Sequence, residues 1–344
     1  MKNYFCQGAI SLVIFNKTIL SMQFLYVLTT NGRDDFINMN YLSAALLRYN
    51  HPEAKIFVAC DNQSAELLKQ SKHSLLKLVN GIIECSTPDG NPVWRNRYVK
   101  CRMRQLLKGD FLYLDGDTLP IKPLHELFET NSDFAAASNH STSFDKNFAN
   151  RERKIFVDNG WKLPNAYYVN GGVLFWRDSK KSHELSELYI NKWTEASINN
   201  LHFDQPSLNS ALIDWDQQFT ILSNKYNAQY MGNCSAAIDA SIWHPYMSMK
   251  SDSPPDYFKK SIKMLKKSKE LKKKYLQRIV NSRIPFVTGN KKNEKKLIVI
   301  IENKGKLDLE DYYKFYGNFF DRMWYKLFKK INYKSNTMLL RMCS

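Results

Sequence analysis

This sequence has no disulfide framework and no zinc-type cysteine spacing. Its six cysteines, Cys6, Cys60, Cys85, Cys101, Cys234 and Cys343, form no CxxC pair. They read as reduced thiols, which favours a cytoplasmic setting. Long apolar runs are also missing, and none approaches the ~20 residues that a membrane-crossing helix needs. Internal repeats are absent, which excludes solenoids and propellers. Acidic residues are the scarce charge: 33 Asp and Glu face 50 Lys and Arg, for a net charge of +17. The shortage is concentrated at one end. Residues 251–344 hold 24 basic and 9 acidic side chains, whereas the first 250 hold 26 and 24. Two regions with different electrostatic roles are therefore expected, a body over residues 22–246 and a basic, aromatic region over 247–344.

With 344 residues and 44% hydrophobic content, the chain can bury one large core or two smaller ones. Residues 1–21 are mildly apolar but interrupted by Asn16 and Lys17. They read either as a weak signal anchor or as an added stretch ahead of Met22. From there the pattern alternates. Apolar runs at 24–30, 55–59, 81–85 and 110–114 predict strands, and amphipathic stretches at 36–47, 64–79 and 94–107 predict helices. This is the βαβ pattern of a largely parallel sheet covered on both faces, which places ligands at the carboxyl ends of the strands. Further on, the spacing predicts a strand at 133–137, a strand pair around 167–176, and helices at 182–197 and 205–213. Beyond 247 it predicts one lysine-rich helix over 259–278, an isolated strand at 297–301 and an aromatic, basic stretch over 312–331.

The strongest chemical signal is the segment from Phe111 to Asp117, where a hydrophobic strand ends in Asp115, Gly116 and Asp117. In extended backbone, side chains two residues apart point the same way, so both carboxylates can face one ion. Unpaired, two such anions ~4 Å apart repel by roughly 4 kcal/mol at an effective dielectric near 20. A divalent cation removes that repulsion, and oxygen ligands suit Mn²⁺ or Mg²⁺. Gly116 leaves room for a close approach to the backbone.

These residues resemble the Asp-x-Asp motif of GT-A glycosyltransferases, particularly family 8 and its bacterial lipopolysaccharide galactosyl- and glucosyltransferases. The likeness extends over short motifs between residues 23 and 246. The first strand, ending in Thr29 and Thr30, is similar to the one that holds the base and ribose of a UDP-sugar. Lys100 matches a basic position that contacts donor diphosphate or sugar. Asn170, Gly171 and Gly172 resemble the Asn-x-Gly strand beside the donor sugar, and Asp204 with Gln205 resembles the start of its catalytic helix. His244 matches a third metal ligand. After it the chain departs from the family, with Pro245, Tyr246 and Met247 where a Gly and a Lys-Pro-Trp-like segment usually follow.

The resemblance implies an α/β, Rossmann-like GT-A fold and a metal-dependent hexosyltransferase. Its partners would be a nucleotide-sugar donor, a glycan or glycolipid acceptor, and an anionic membrane surface at the inner face of the membrane. The basic region also has the charge of a nucleic-acid-binding tail or of a merely solvated one, but the body carries no nucleic-acid module. The body by itself is expected to bind a donor without that region. Asn170 can offer its amide to sugar hydroxyls, and Asp204 can equally cap a helix. Trp94, Arg95 and Arg97 read either as further residues near the donor or as a basic, exposed helix face, and the second reading is preferred. An alternative reading takes Asp115 to Leu119 as the first motif of a haloacid-dehalogenase-type phosphatase, with Asp214 and Asp216 as the nearest downstream acidic pair.

Overall fold

A computed structural model of the chain describes residues 22–141, 144, 148, 150–198, 203–246, 248–250, 253–287, 291–316 and 323. Residues 1–21 and nearly all of the aromatic stretch beyond 316 lie outside that set. Seven strands form one sheet: β1 (Gln23–Leu28), β2 (Lys55–Asp61), β3 (Gly81–Cys85), β4 (Phe111–Leu114), β6 (Phe134–Ser138), β7 (Val169–Trp176) and β8 (Thr220–Leu222). The spatial order is β3-β2-β1-β4-β7-β6-β8. β7 runs antiparallel to β4 and β6, and every other pairing in this sheet is parallel. The expected strand pair near 167–176 is therefore one continuous, fully buried strand. Its apolar run Val173–Trp176 is covered on both faces and has no reason to turn.

Helices α1 (Phe36–Asn50), α2 (Asn62–Ser71) and α3 (Pro92–Cys101) make the crossovers between the first four strands. α2 and α3 have side-chain N-caps, Asp61 accepting from Ser64 N–H and Asn91 from Trp94 N–H. A second sheet pairs β5 (Leu119–Pro120) with β9 (Ile242–Trp243), antiparallel. Helices α4 (Asn150–Asp158), α5 (Lys180–Ile198) and α6 (Asp204–Trp215) belong to the second half of the body.

Beyond residue 250 the structure is helical: α7 (Tyr257–Ser268), α8 (Lys273–Val280), α9 (Lys291–Lys304) and α10 (Leu309–Tyr316). Two expectations change here. The single helix over 259–278 is broken at Lys269, which adopts a left-handed conformation with φ 57°. The break turns Leu271 inward, and its N–H donates to the Tyr41 hydroxyl on α1. The stretch 297–301 is helical, not a strand. Leu297, Ile298 and Ile301 lie on the buried side of α9 while Val299 is exposed, and Gly305 ends the helix at φ 66°. Packing of that helical stripe outweighs the β-branched composition. Tyr257, Phe258, Ile262 and Leu265 of α7 join the same apolar core as Phe24, Tyr26 and the α1 leucines. No helix among the described residues is long and apolar enough to cross a membrane.

Candidate metal and donor site

β4 carries Asp115 out of the sheet beside the start of β7, and Asp115 N–H donates to Gly172 C=O at 2.8 Å. Two residues later Asp117 leads into β5. Because β5 pairs with β9 in the register Leu119↔Trp243, the next residue after Trp243 arrives beside Asp117. That residue is His244. Ligand atoms of Asp115, Asp117 and His244 all lie within 4.8 Å of one another, and they form the only such trio among the described residues.

The protonation of His244 can be traced back to a single backbone group. Gly172 N–H donates to Asn170 Oδ1 at 2.8 Å, which identifies that atom as the oxygen. Asn227 faces the same oxygen and must present its amide nitrogen, at 2.8 Å. Its other atom, Oδ1, then meets His244 Nδ1 at 2.7 Å. Nδ1 therefore carries the proton of the neutral ring, leaving the Nε2 lone pair towards Asp117, 3.4 Å away. Burial works against a charged His244, yet Asp117 beside it raises its pKa overall. Either a proton or a cation can satisfy this pair. Two carboxylates and one such imidazole fit a divalent ion of the Mn²⁺ type, and they would supply its protein ligands.

A second charge cluster adjoins the trio. Lys100, only 2% exposed, pairs with Asp115 at 3.0 Å and with Asp204 at 2.8 Å. Arg97, one turn earlier on α3, pairs with the other oxygen of Asp204 at 2.8 Å. Burial alone would raise the pKa of Asp204, but these two cations outweigh it and hold the carboxyl well below the usual range. The Tyr113 hydroxyl also donates to Asp115. Asp204 opens α6 but makes no cap of its own; its oxygens are spent on Arg97 and Lys100.

Two clefts meet at this point. The first, about 180 Å³, is bounded by Val27–Thr29 of β1, Phe36 and Asn40 of α1, and Pro92, Val93 and Asn96 of α3. The second, about 360 Å³, is more polar and is bounded by Asn139, His140, Arg151, Asn170, Gln205 and Tyr246, among others. Asp115, Asp117 and Arg97 line both.

The expected site residues divide into three groups. Thr29, Lys100, Asp115, Gly116, Asp117, Asn170, Gly171, Asp204, Gln205 and His244 all line one or both clefts. Thr30 lines neither. It is fully buried, and its hydroxyl donates to Asp34 at 2.8 Å, bracing the turn into α1. The glycines make room for protein side chains. A Cβ on Gly116 would lie 2.4 Å from Asn40, and one on Gly172 would lie 2.5 Å from His244. A Cβ on Gly171 would lie 3.3 Å from both Lys100 and Asp204.

The Asn170 amide is fully occupied. It donates to Asn139 and Gln205, and accepts from Gly172 and Asn227. Its task is to brace this network, and no donor or acceptor is left over for a sugar hydroxyl. Arg95 pairs with buried Asp61 and is not part of an exposed face. Sequence reasoning missed Asn227 and Asn40, and in preferring an exposed helix face for Arg97 it missed the pairing with Asp204. Asn227 carries no local signal, because its role depends on Gly172 and His244, which come from elsewhere in the chain. The phosphatase alternative finds no support here. Asp214 ends α6 in ion pairs with Lys192 and Lys162, and neither it nor Asp216 lines the clefts that hold Asp115.

No family model matches this chain, and no curated protein is similar to it. Solved structures do resemble it in fold. An active-site mutant of the enzyme LgtC is 14% identical, with a TM-score of 0.50 over 74% of this chain and 99% of that one. The galactosyltransferase LgtC with donor and acceptor sugar analogues is 13% identical, with a TM-score of 0.49 over 79% of this chain and all of that one. The glycosyltransferase GlyE of Streptococcus pneumoniae TIGR4 is 16% identical, with a TM-score of 0.47 over 78% of this chain and 66% of that one. At such identity the likeness concerns architecture alone, and together with the strand order and the site at its carboxyl edge it gives this chain the GT-A glycosyltransferase fold.

Proposed function

We propose that the protein transfers a hexose from a nucleotide sugar, a UDP-sugar, to a glycan or glycolipid acceptor, with a divalent ion held by Asp115, Asp117 and His244. The observation that carries this reading is the position of the trio, at the carboxyl edge of the sheet where two clefts meet. The half-apolar first cleft suits a base and ribose, and the polar second cleft suits sugars. When bound, the ion neutralises charge building on the departing diphosphate.

Retention of configuration belongs to this reading, with Asp204 excluded as the base that inversion would need. Inversion needs a carboxylate that deprotonates the acceptor hydroxyl. Two carboxylates besides the ion's ligands line the second cleft, Asp204 and Glu152; Arg97 and Lys100 hold Asp204 strongly ionised and make it a poor base. Gln205, which lines the second cleft, uses its carbonyl oxygen on Asn170, at 2.9 Å. LgtC, similar in fold, was solved with donor and acceptor sugar analogues. A lipopolysaccharide-type acceptor and attachment to the inner face of the membrane belong to the same reading. The support is the excess of 15 positive charges over residues 251–344, since each Lys or Arg near an anionic leaflet contributes ~1 kcal/mol.

A hydrolysis screen over UDP-, GDP- and CMP-sugars, with and without Mn²⁺, tests the reading. Hydrolysis of a UDP-sugar only in the presence of the ion is expected. Absence of any metal-dependent turnover or binding across all three would reject it.

A further inference from the structure

Charge at the junction of the two clefts is incompletely used, and this singles out one residue. Lys100 is buried and committed, its ammonium held between Asp115 and Asp204. Arg97 differs. Its Nε faces Asp204 and its Nη1 donates to Asn96 at 2.6 Å, but Nη2 makes no hydrogen bond among the described residues. Its side chain is 30% exposed, and among the described residues it is the only cation that lines both clefts. Three carboxylates, Asp115, Asp117 and Asp204, gather within reach of these two cations. A divalent ion brings the cluster to about one net positive charge. A nucleoside diphosphate carries two or three negative charges, more than that excess neutralises, so the unbonded Nη2 of a side chain that lines both clefts is drawn to it.

We propose that Arg97 is the specificity-determining residue for the diphosphate. Its Nη2 donates to the phosphoryl oxygens where the two clefts join, while Asp204 and Asn96 hold Nε and Nη1 in place. This inference rests on the nucleotide-sugar reading above. It assigns phosphate recognition to a side chain anchored on α3, rather than to the segment after His244, where the first cation is Lys250 and it lines neither cleft.

The test compares ligands that differ only in phosphate, in the full-length protein with Mn²⁺. Affinities for uridine, UMP and UDP are measured by calorimetry for the wild type, Arg97→Met and Arg97→Lys, with melting temperatures recorded alongside. Arg97→Met is expected to weaken UDP binding by roughly 10- to 100-fold, the usual scale for a charge-assisted hydrogen bond, and to leave uridine within about threefold. Arg97→Lys should recover only part of the loss, because an ammonium keeps the charge but not the planar fork. A purely structural role, holding Asp204, would lower uridine and UDP affinity together or lower the melting temperature alone, and would overturn the inference. Undiminished UDP affinity in Arg97→Met would overturn it too, with the nucleotide-sugar reading intact. A wild type that binds no nucleoside diphosphate with Mn²⁺ would overturn both.

Discussion

At the scale of single residues, the site is a set of short polar side chains whose roles are assigned by one another. The two aspartates differ although they are one residue apart. Asp115 is held by Lys100 and Tyr113, whereas Asp117, among the described side chains, pairs with the imidazole of His244. Asp117 is thus the carboxylate with least to lose when a ligand replaces its partner. Replacing it with Asn removes one ligand charge and keeps the shape. Asp117→Asn is expected to lower Mn²⁺-dependent donor hydrolysis at least about 100-fold, the scale of losing one strong electrostatic contact in a site. Its melting temperature should stay within a few degrees. Activity that remains metal-dependent and near wild type would mean that the ion sits elsewhere.

At the scale of elements, β7 shapes the site more than its length suggests. Its first half has no large side chain after Asn170, and that space is taken by His244, Lys100 and Asp204 from three other elements. Gly172→Ala would place a methyl 2.5 Å from the His244 ring. The imidazole, or the Asn170 amide 2.9 Å from the same methyl, would have to shift, so Mn²⁺ affinity should fall by ~10- to 100-fold, as when a ligand's supporting group is lost. Calorimetric titration with Mn²⁺ measures it, and unchanged affinity would show that the ring has slack.

A different junction lies at the end of α1. His51 caps that helix, accepts the Leu124 N–H at Nε2 and packs against Phe24 and His125. Burial, helped by His125, lowers its pKa from 6.5 to about 4. The unfolded chain therefore binds the extra proton between those values. Stability is complete above pH 6.5 and is lost as pH falls towards 4, by ~3 kcal/mol. His51→Gln should flatten that part of the stability curve in urea melts at pH 4.5 and pH 7. An identical slope in both proteins would show that another group controls acid sensitivity.

Over the whole molecule, the region beyond residue 250 is at once the most basic part of the chain and a contributor to its core. Tyr257, Phe258, Ile262 and Leu265 are at most 2% exposed and pack with β1 and α1. Asp256, fully buried, accepts from Tyr230 and Ser248 and so ties α7 to the segments flanking His244. Removing four such side chains from water's exclusion forfeits ~2 kcal/mol each, a sum comparable to the ~5–15 kcal/mol that holds a domain together. Truncation after Tyr246 is thus expected to abolish cooperative melting, against the expectation from the position of the motifs that the body binds a donor unaided. A truncated protein with a sharp thermal transition and UDP affinity would refute this. Membrane attachment is accordingly best examined in the full chain, by reversing exposed lysines such as Lys260 and Lys263.

The alternation of apolar strands and amphipathic helices was enough to indicate a largely parallel α/β sheet, and the Asp-x-Asp at the end of β4 was enough to suggest an ion at its carboxyl edge. Both are local: strand periodicity and the spacing of two carboxylates are read within about ten residues. What lay beyond the sequence depended on distant partners. The helical state of 297–301 came from an apolar stripe that only the core can bury, not from β-branched propensity. The glycines looked like openings for a ligand until the folded chain placed Asn40, His244, Lys100 and Asp204 against them. Arg97 looked like a surface cation, because nothing near it in sequence shows that Asp204 comes to rest beside it. A residue's neighbours along the chain set its backbone preference, but its charge partners and free hydrogen-bonding groups are set by contacts a hundred residues away, and those exist only once the sheet has formed.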